Sequence, residues 1–489
     1  MTLSSQDEAM TSWDGATRLA RHAAAARERD RSEEVRSNLQ RHLLDFLGVA
    51  LGARVHARST PAFEAAIETL AGSGSPADVN TSGRDNGEAT LLTDGSRGTA
   101  EHAALANGAL AHSLDFDDTH RESSLHPGAP VIAAALAIAE REEVTSDTLL
   151  AAISAGYDVS CTVGRAVNPD SHYDRGFHLT ATCGTFGATA AAGVVAGLDS
   201  AEIETAFGVN ASQAAGSLGF LENGAWNKRL HPGLAARRAV LATALAESGF
   251  RAGARPFGGS HGFLRGYSDD PNPEAFDRVG EPPAVLETAI KPYPCCRYVH
   301  PAIDALSHVA SDVDPGDIES ITISLPTPGV TLTGEPTERK RRPENFVDCQ
   351  FSAPFCAALV LTAGTAGLPA FLDAQDDLDD PRFRDLMDAT DVGTSAEVAG
   401  RFPEQWAARV VVETGGRTYD RFVETARGEP ENPLGWAGVT EKFERTVTAA
   451  GLSTSDCEGI VDAVRDVEAG EVAGLVGAIE PVLAPTART

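Results

Sequence analysis

The chain has 489 residues, 42% of them hydrophobic and 22% charged, with a formal net charge of -30 from 40 basic and 70 acidic side chains. That apolar content supports one large core or two moderate ones and excludes a disordered acidic tail. The charge excludes a nucleic-acid or anionic-membrane surface, because phosphates would be repelled.

The basic residues are almost all arginine; the lysines are Lys228, Lys291, Lys340 and Lys442. Abundant carboxylates with scarce lysine are the composition of a protein adapted to very high salt, where carboxylate hydration maintains solubility and salt screens self-repulsion. The first ten residues lack a basic stretch followed by an apolar one, so no secretory signal is expected. The longest apolar stretches, 129–139 and 184–198, are shorter than a membrane span and rich in Ala and Gly, which predicts buried helices. The cysteines are seven in number and form no CxxC pair, which argues against a disulfide framework, a zinc ribbon or an iron–sulfur cluster. A cytoplasmic protein with reduced thiols is the expectation.

In chain order, residues 1–15 read as a loose tail. Residues 16–270 read as an all-helical domain, with helical periodicity over 36–51, 61–71, 98–111, 129–140, 146–163, 185–196, 200–217 and 233–248. A Pro- and Asp-rich stretch at 269–283 reads as a linker. Residues 277–428 then read as an α+β domain. A strand is expected at 318–325, a hairpin from 407–413 and 417–425 around Gly415-Gly416, and helices at 300–311 and 352–363. A loop follows at 428–435. Helical periodicity returns over 439–483, and residues 429–489 are expected to complete the first domain, so the smaller domain reads as an insertion. The expected fold is mainly α: a large helical domain with an inserted α+β lid.

One device recurs. His126-Pro127, His231-Pro232 and His300-Pro301 each precede an expected helix, and His178 precedes a fourth. Proline suits the first helical position, where an N–H would be unpaired anyway. Free N–H groups and the helix dipole at such a start attract anions. Any one of these histidines could be a local cap. Several of them, with lysine and arginine nearby, fit a pocket for a carboxylate-rich ligand.

The segment 107–128 ends a helix in Asp115, Asp117 and Asp118, followed by Thr119 and His120. Acids crowded at a helix C-terminus oppose the dipole and one another, which predicts a raised carboxyl pKa suited to a general acid or base. Lys228 and Lys291 lie within nine residues of a His-Pro pair, whereas Lys340 and Lys442 read as surface or salt-bridge residues. Gly-rich pieces at 184–187 and 258–259 match neither a Walker loop nor a dinucleotide fingerprint, and no nucleophile elbow is present.

Taken together, Asp-Phe-Asp-Asp-Thr followed by His-Pro at 115–127, Gly-Phe-His at 176–178, Lys-x-Leu-His at 228–231 and Lys-Pro-Tyr-Pro-Cys-Cys at 291–296 resemble the MmgE/PrpD family over about residues 16–485. The resemblance implies a helical domain with an α+β lid, an active site at their junction, a homodimer, and cofactor-free catalysis. Members include 2-methylcitrate dehydratase, cis-aconitate decarboxylase and iminodisuccinate epimerase, all acting on small di- or tricarboxylates. It places the active site at Asp115, Thr119, His126, His178, Lys228 and Lys291. The decarboxylase branch adds a lid tyrosine, which has no clear counterpart between Gly329 and Asn345.

The scheme expected first is dehydration of a hydroxytricarboxylate, 2-methylcitrate, to 2-methylaconitate. Lys228, Lys291 and His126 neutralise carboxylates, the two lysines supplying fixed positive charge without a metal; Asp115 and His178 exchange protons, and His126 serves in binding or proton transfer. Thr119, His231, Arg297 and His300 bind substrate. Decarboxylation, epimerisation and citrate dehydration on the same scaffold stay open. So do a non-catalytic carboxylate-binding protein and a metal-dependent hydrolase using the acidic cluster.

Overall fold

The computed structural model describes residues 15–71, 88–467 and 470–483. It divides into two compact units, one of Met1–Ala289 with Trp436–Thr489, the other of Ile290–Gly435. The expected tail lies outside the described residues apart from Gly15, which opens the first helix.

The first unit is helical. Its long helices are α1 (Gly15–Ala24), α2 (Glu33–His56), α3 (Thr60–Leu70), α4 (Ala100–His112), α5 (Gly128–Arg141), α6 (Ser146–Val167), α7 (Leu179–Ala196), α8 (Ser200–Asn210) and α9 (Asn227–Glu247). The helices Gly435–Ala449, Thr454–Arg465 and Val472–Leu483 follow the second unit in the chain. The sequence signals their starts locally. The side chains of Ser32, Thr99 and Thr145 accept hydrogen bonds from the first turns of α2, α4 and α6. Asp199 and Glu202 form a reciprocal capping box at α8. Helix α7 ends at Gly197, whose φ of +75° is the left-handed conformation that glycine adopts without strain.

Helix α7 is the centre of this unit, packed by α5, α6 and α9. It is long and apolar enough to cross a membrane by length and composition, yet 94% of it is buried inside the chain, as expected for a core helix. Small residues let the helices approach closely. A Cβ on Gly233 of α9 would lie 2.2 Å from the Leu105 carbonyl oxygen of α4, so the two backbones touch where Gly108 and Gly233 cross.

The second unit carries a four-stranded sheet. Its elements are α10 (His300–Ser307), β1 (Ile318–Ser324), α11 (Ala353–Ala363), β2 (Thr390–Gly393), β3 (Ala408–Thr414) and β4 (Arg417–Val423). The strand order is β2-β1-β3-β4, with β1 and β2 parallel and the other neighbours antiparallel. The predicted hairpin forms with Thr414 opposite Arg417, leaving Gly415-Gly416 as its two-residue turn. Ile321, Ile323, Val410 and Val412 are fully buried on one face, and α10 and α11 pack on the sheet.

Two expectations change. Residues 269–283 do not separate the units. Phe276 there is fully buried, and the Asp158 carboxylate of α6 accepts the Ala284 N–H, so the stretch packs on the first unit and the division falls at 289/290. His231-Pro232 does not precede its helix. Helix α9 starts at Asn227 and Pro232 lies inside it, so Lys228 and His231 share one helix. Proline is tolerated there because it sits within two turns of the helix start, where few intrahelical bonds are lost.

Candidate functional site

The exit from α4 builds the site. Asp115 adopts a φ of +50°, a left-handed conformation that Asp tolerates better than most residues, and the chain turns sharply after His112. Asp115 and Asp117 then face one set of partners and Asp118 another.

Asp115 Oδ1 accepts a hydrogen bond from Lys228 Nζ at 2.7 Å, an ion pair between the end of α4 and the first turn of α9. The crossing at Gly108 and Gly233 sets the distance between these two helices. Asp117 Oδ2 lies 2.7 Å from His112 Nδ1 and 3.4 Å from His126 Nδ1. The crowding of acids predicted a raised pKa, and for Asp117 the structure gives the reverse. Burial would raise its carboxyl, but the His112 and His126 rings outweigh burial and hold it well below the usual range.

His126 stands just before α5, and its backbone N–H bonds to the Thr180 hydroxyl at the start of α7. His178 is the residue that opens α7, as expected. Its Nδ1 meets His231 Nδ1 at 3.0 Å. The rings continue through His112, whose centroid is 4.6 Å from His126 and 6.0 Å from His178. Burial lowers the His112 and His231 rings to about 4, and burial with the neighbouring His231 holds His178 well below its ordinary value. These imidazoles are therefore neutral at pH 7 and able to accept protons. Thr119 is buried on the same segment, which pairs with Thr288–Ala289 in a short antiparallel ladder.

Asp118 faces inward. It accepts from His42 Nδ1 at 2.8 Å, from the Tyr157 hydroxyl and from the Gly128 N–H at 3.0 Å. A Cβ on Gly128 would meet the Tyr157 hydroxyl at 2.6 Å and the Asp118 carboxylate at 2.8 Å, so glycine is required at that helix start. Beside it, Lys442 pairs with Asp45, donates to the Phe116 carbonyl and lies 3.9 Å over the Phe116 ring. Lys442 is thus a buried anchor and not a surface residue. Lys340 is half-buried and donates to the Leu332 carbonyl.

Asp115, Thr119, His126, His178, Lys228 and His231 all belong to the first unit, and Lys291, Arg297 and His300 to the second. Lys291 is buried. Arg297 pairs with Glu429 and lies over the Trp406 ring, and His300 contacts the Cys295 carbonyl at 3.2 Å. Sequence reasoning missed His112, which looks like an ordinary residue of an Ala-rich helix. It stands three residues before the acidic cluster, and that spacing was the available signal.

His112, Asp117 and His126 are the described residues whose donor atoms, within 4.8 Å of one another, come near enough to share a cation. The 2.7 Å contact between His112 and Asp117 is a hydrogen-bond length. An ion would have to replace that bond and spread the ligands, so the arrangement fits a hydrogen-bonded network better than a metal centre.

Two family models match the chain: the MmgE/PrpD N-terminal domain over residues 17–275 and the MmgE/PrpD C-terminal domain over 293–468. A cis-aconitate decarboxylase of Aspergillus terreus is 27% identical over 388 residues, covering 75% of this chain and 78% of the relative. The human cis-aconitate decarboxylase is 24% identical, covering 75% of this chain and 76% of that protein. The mouse cis-aconitate decarboxylase is also 24% identical, covering 75% of each chain.

Proposed function

The chain belongs to the MmgE/PrpD family, and from that premise we propose that it is a lyase acting on a small tricarboxylate, with decarboxylation of cis-aconitate as its first reading. The observation that carries this is the meeting of the Asp115–Lys228 ion pair with neutral, buried imidazoles at the end of α4. The similar proteins named cis-aconitate decarboxylase support the choice of substrate.

The chemistry asks for three things. A substrate carboxylate needs a fixed cation, which Lys228 supplies, with Lys291 as the second candidate. The electron pair left when carbon dioxide departs spreads into a neighbouring carboxylate, and that charge needs the same positive field. The carbon must then take a proton, which His178 or His126 delivers after its ring has taken one from solvent. Thr119 and His231 orient the carboxylates. In this reading the functional unit is a homodimer working in high salt, and exhaustive chelation should leave its activity unchanged.

A second reading has one specific observation in its favour. No tyrosine occurs between Gly329 and Asn345, where the decarboxylase branch is expected to carry one. Dehydration of 2-methylcitrate to 2-methylaconitate needs no such residue, and Asp115 and His178 would exchange its protons. Incubation with cis-aconitate, citrate, 2-methylcitrate and iminodisuccinate at high salt decides, with products identified by mass spectrometry. Loss of carbon dioxide from cis-aconitate supports the first reading. Loss of water from 2-methylcitrate without carbon dioxide replaces it with the second. Ligand-induced stabilisation without turnover marks a carboxylate-binding protein instead.

A further inference from the structure

Resting on the lyase reading above, we infer that Asp117 fixes the ring orientation and tautomer of His112 and His126, and that His112 is a positioning residue for proton transfer at His126. Asp117 is 3% exposed and His112 1% exposed. An ionised carboxylate can only accept hydrogen bonds, so the His112 Nδ1 at 2.7 Å must carry the proton it donates. The His112 ring is neutral, so its Nε2 bears a lone pair. That atom is buried and has no hydrogen-bond partner.

His126 faces the same oxygen at ion-pair distance, its buried Nδ1 making no formed hydrogen bond in this state. Its Nδ1 lies 3.4 Å from Asp117 Oδ2, and its backbone is tied to Thr180. With Nδ1 turned to the carboxylate, Nε2 is the ring nitrogen left for proton exchange. When Nε2 takes a proton, the ring gains one positive charge, which Asp117 faces and balances. When the proton goes to the substrate carbon, the ring returns to neutral. His112 stands between this histidine and His178, in edge contact with the first at 74° and stacked on the second at 28°. A purely structural residue inside α4 would be better served by leucine, since an unpartnered buried nitrogen opposes folding.

The test uses the full chain labelled with 15N-histidine. Ring nitrogen resonances, assigned by difference with His112→Phe and His126→Asn, should show His112 and His126 protonated at Nδ1. Asp117→Asn should remove that preference. With cis-aconitate as substrate, His112→Phe keeps the ring packing without the donor and should lower kcat about 10-fold or more with KM little changed. His112→Asn places an amide N–H near the lost Nδ1 and should recover most of that loss. An Nε2-protonated His112 in the unsubstituted protein, or wild-type turnover by His112→Phe, overturns the inference. If cis-aconitate is not a substrate, the lyase reading fails on that count, while the tautomer measurement still decides the role of Asp117.

Discussion

Asp117 and Asp118 are consecutive, both are 3% exposed, and each meets a histidine through its Nδ1. Their surroundings nevertheless assign them opposite work. Asp118 is saturated by Tyr157, His42 and the Gly128 N–H, all from elements that hold the loop in place. Among the described residues the Asp117 carboxylate meets imidazoles, and beyond it the rings of His126, His112, His178 and His231 follow one another. The lesson is that a buried carboxylate is defined by what it faces. A carboxylate surrounded by fixed donors stabilises a fold, and one surrounded by titratable rings sets their protons.

The comparison breaks most severely on its structural side. Asp118→Ala strands several buried donors at once, and chemical denaturation should show a loss of about 4 kcal/mol, at 1–3 kcal/mol per unsatisfied group. Lys442→Ala leaves Asp45 buried without its cation. Urea unfolding should give a loss of about 3 kcal/mol, partly recovered when Asp45→Asn is added. On the chemical side, Lys228→Ala should cost about 3 kcal/mol in activation free energy, roughly a hundredfold in kcat. Its unfolding midpoint should fall less than that of Lys442→Ala, since Lys228 and Asp115 are more exposed than Lys442 and Asp45. A K228A protein that loses stability in proportion to activity would erase the distinction between the two regions.

Acid should act on the imidazole side before the carboxylates are protonated. His112, His172 and His231 have an ordinary value of 6.5 and are lowered to about 4 by burial. Between those limits the unfolded chain binds protons that the folded chain does not. Stability is therefore complete above about pH 6.5 and falls as the pH drops toward 4, by up to about 1.4 kcal/mol per pH unit for each histidine. Asp45 works against this trend. Burial raises it from 3.8 to about 6, Lys442 opposing, so its contribution declines as the pH rises through that window. Unfolding midpoints between pH 7 and 5 should fall overall, and the fall should be shallower in His172→Phe, which lacks one of the three rings.

Much of this was legible in the sequence. The helical periodicity, the Gly415-Gly416 hairpin and the placement of His178 at the start of α7 depend on local patterns, and they formed close to where they were read, although the helices expected over 200–217 and 300–311 end at Asn210 and Ser307. Asp115 and Lys228 were singled out separately, one as an acid at a helix end and the other as a scarce lysine, and the structure pairs them. What was hidden is long-range. Tyr157 lies 39 residues from Asp118 and Lys442 lies 326 from Phe116, and no spacing rule connects them. The direction of the Asp117 shift was hidden for the same reason, since the crowded acids were visible but the rings facing them were not. Helix α9 began earlier than its His-Pro signal because the turns before Pro232 could form without its N–H.

The measurement that bears most directly on the central claim is 13C NMR of labelled cis-aconitate incubated at high salt with the parent protein and with Lys228→Ala. The account predicts labelled carbon dioxide and a decarboxylated product from the parent, and almost none from K228A at equal folded concentration. Unchanged cis-aconitate with the parent protein, or equal turnover by both proteins, would contradict it.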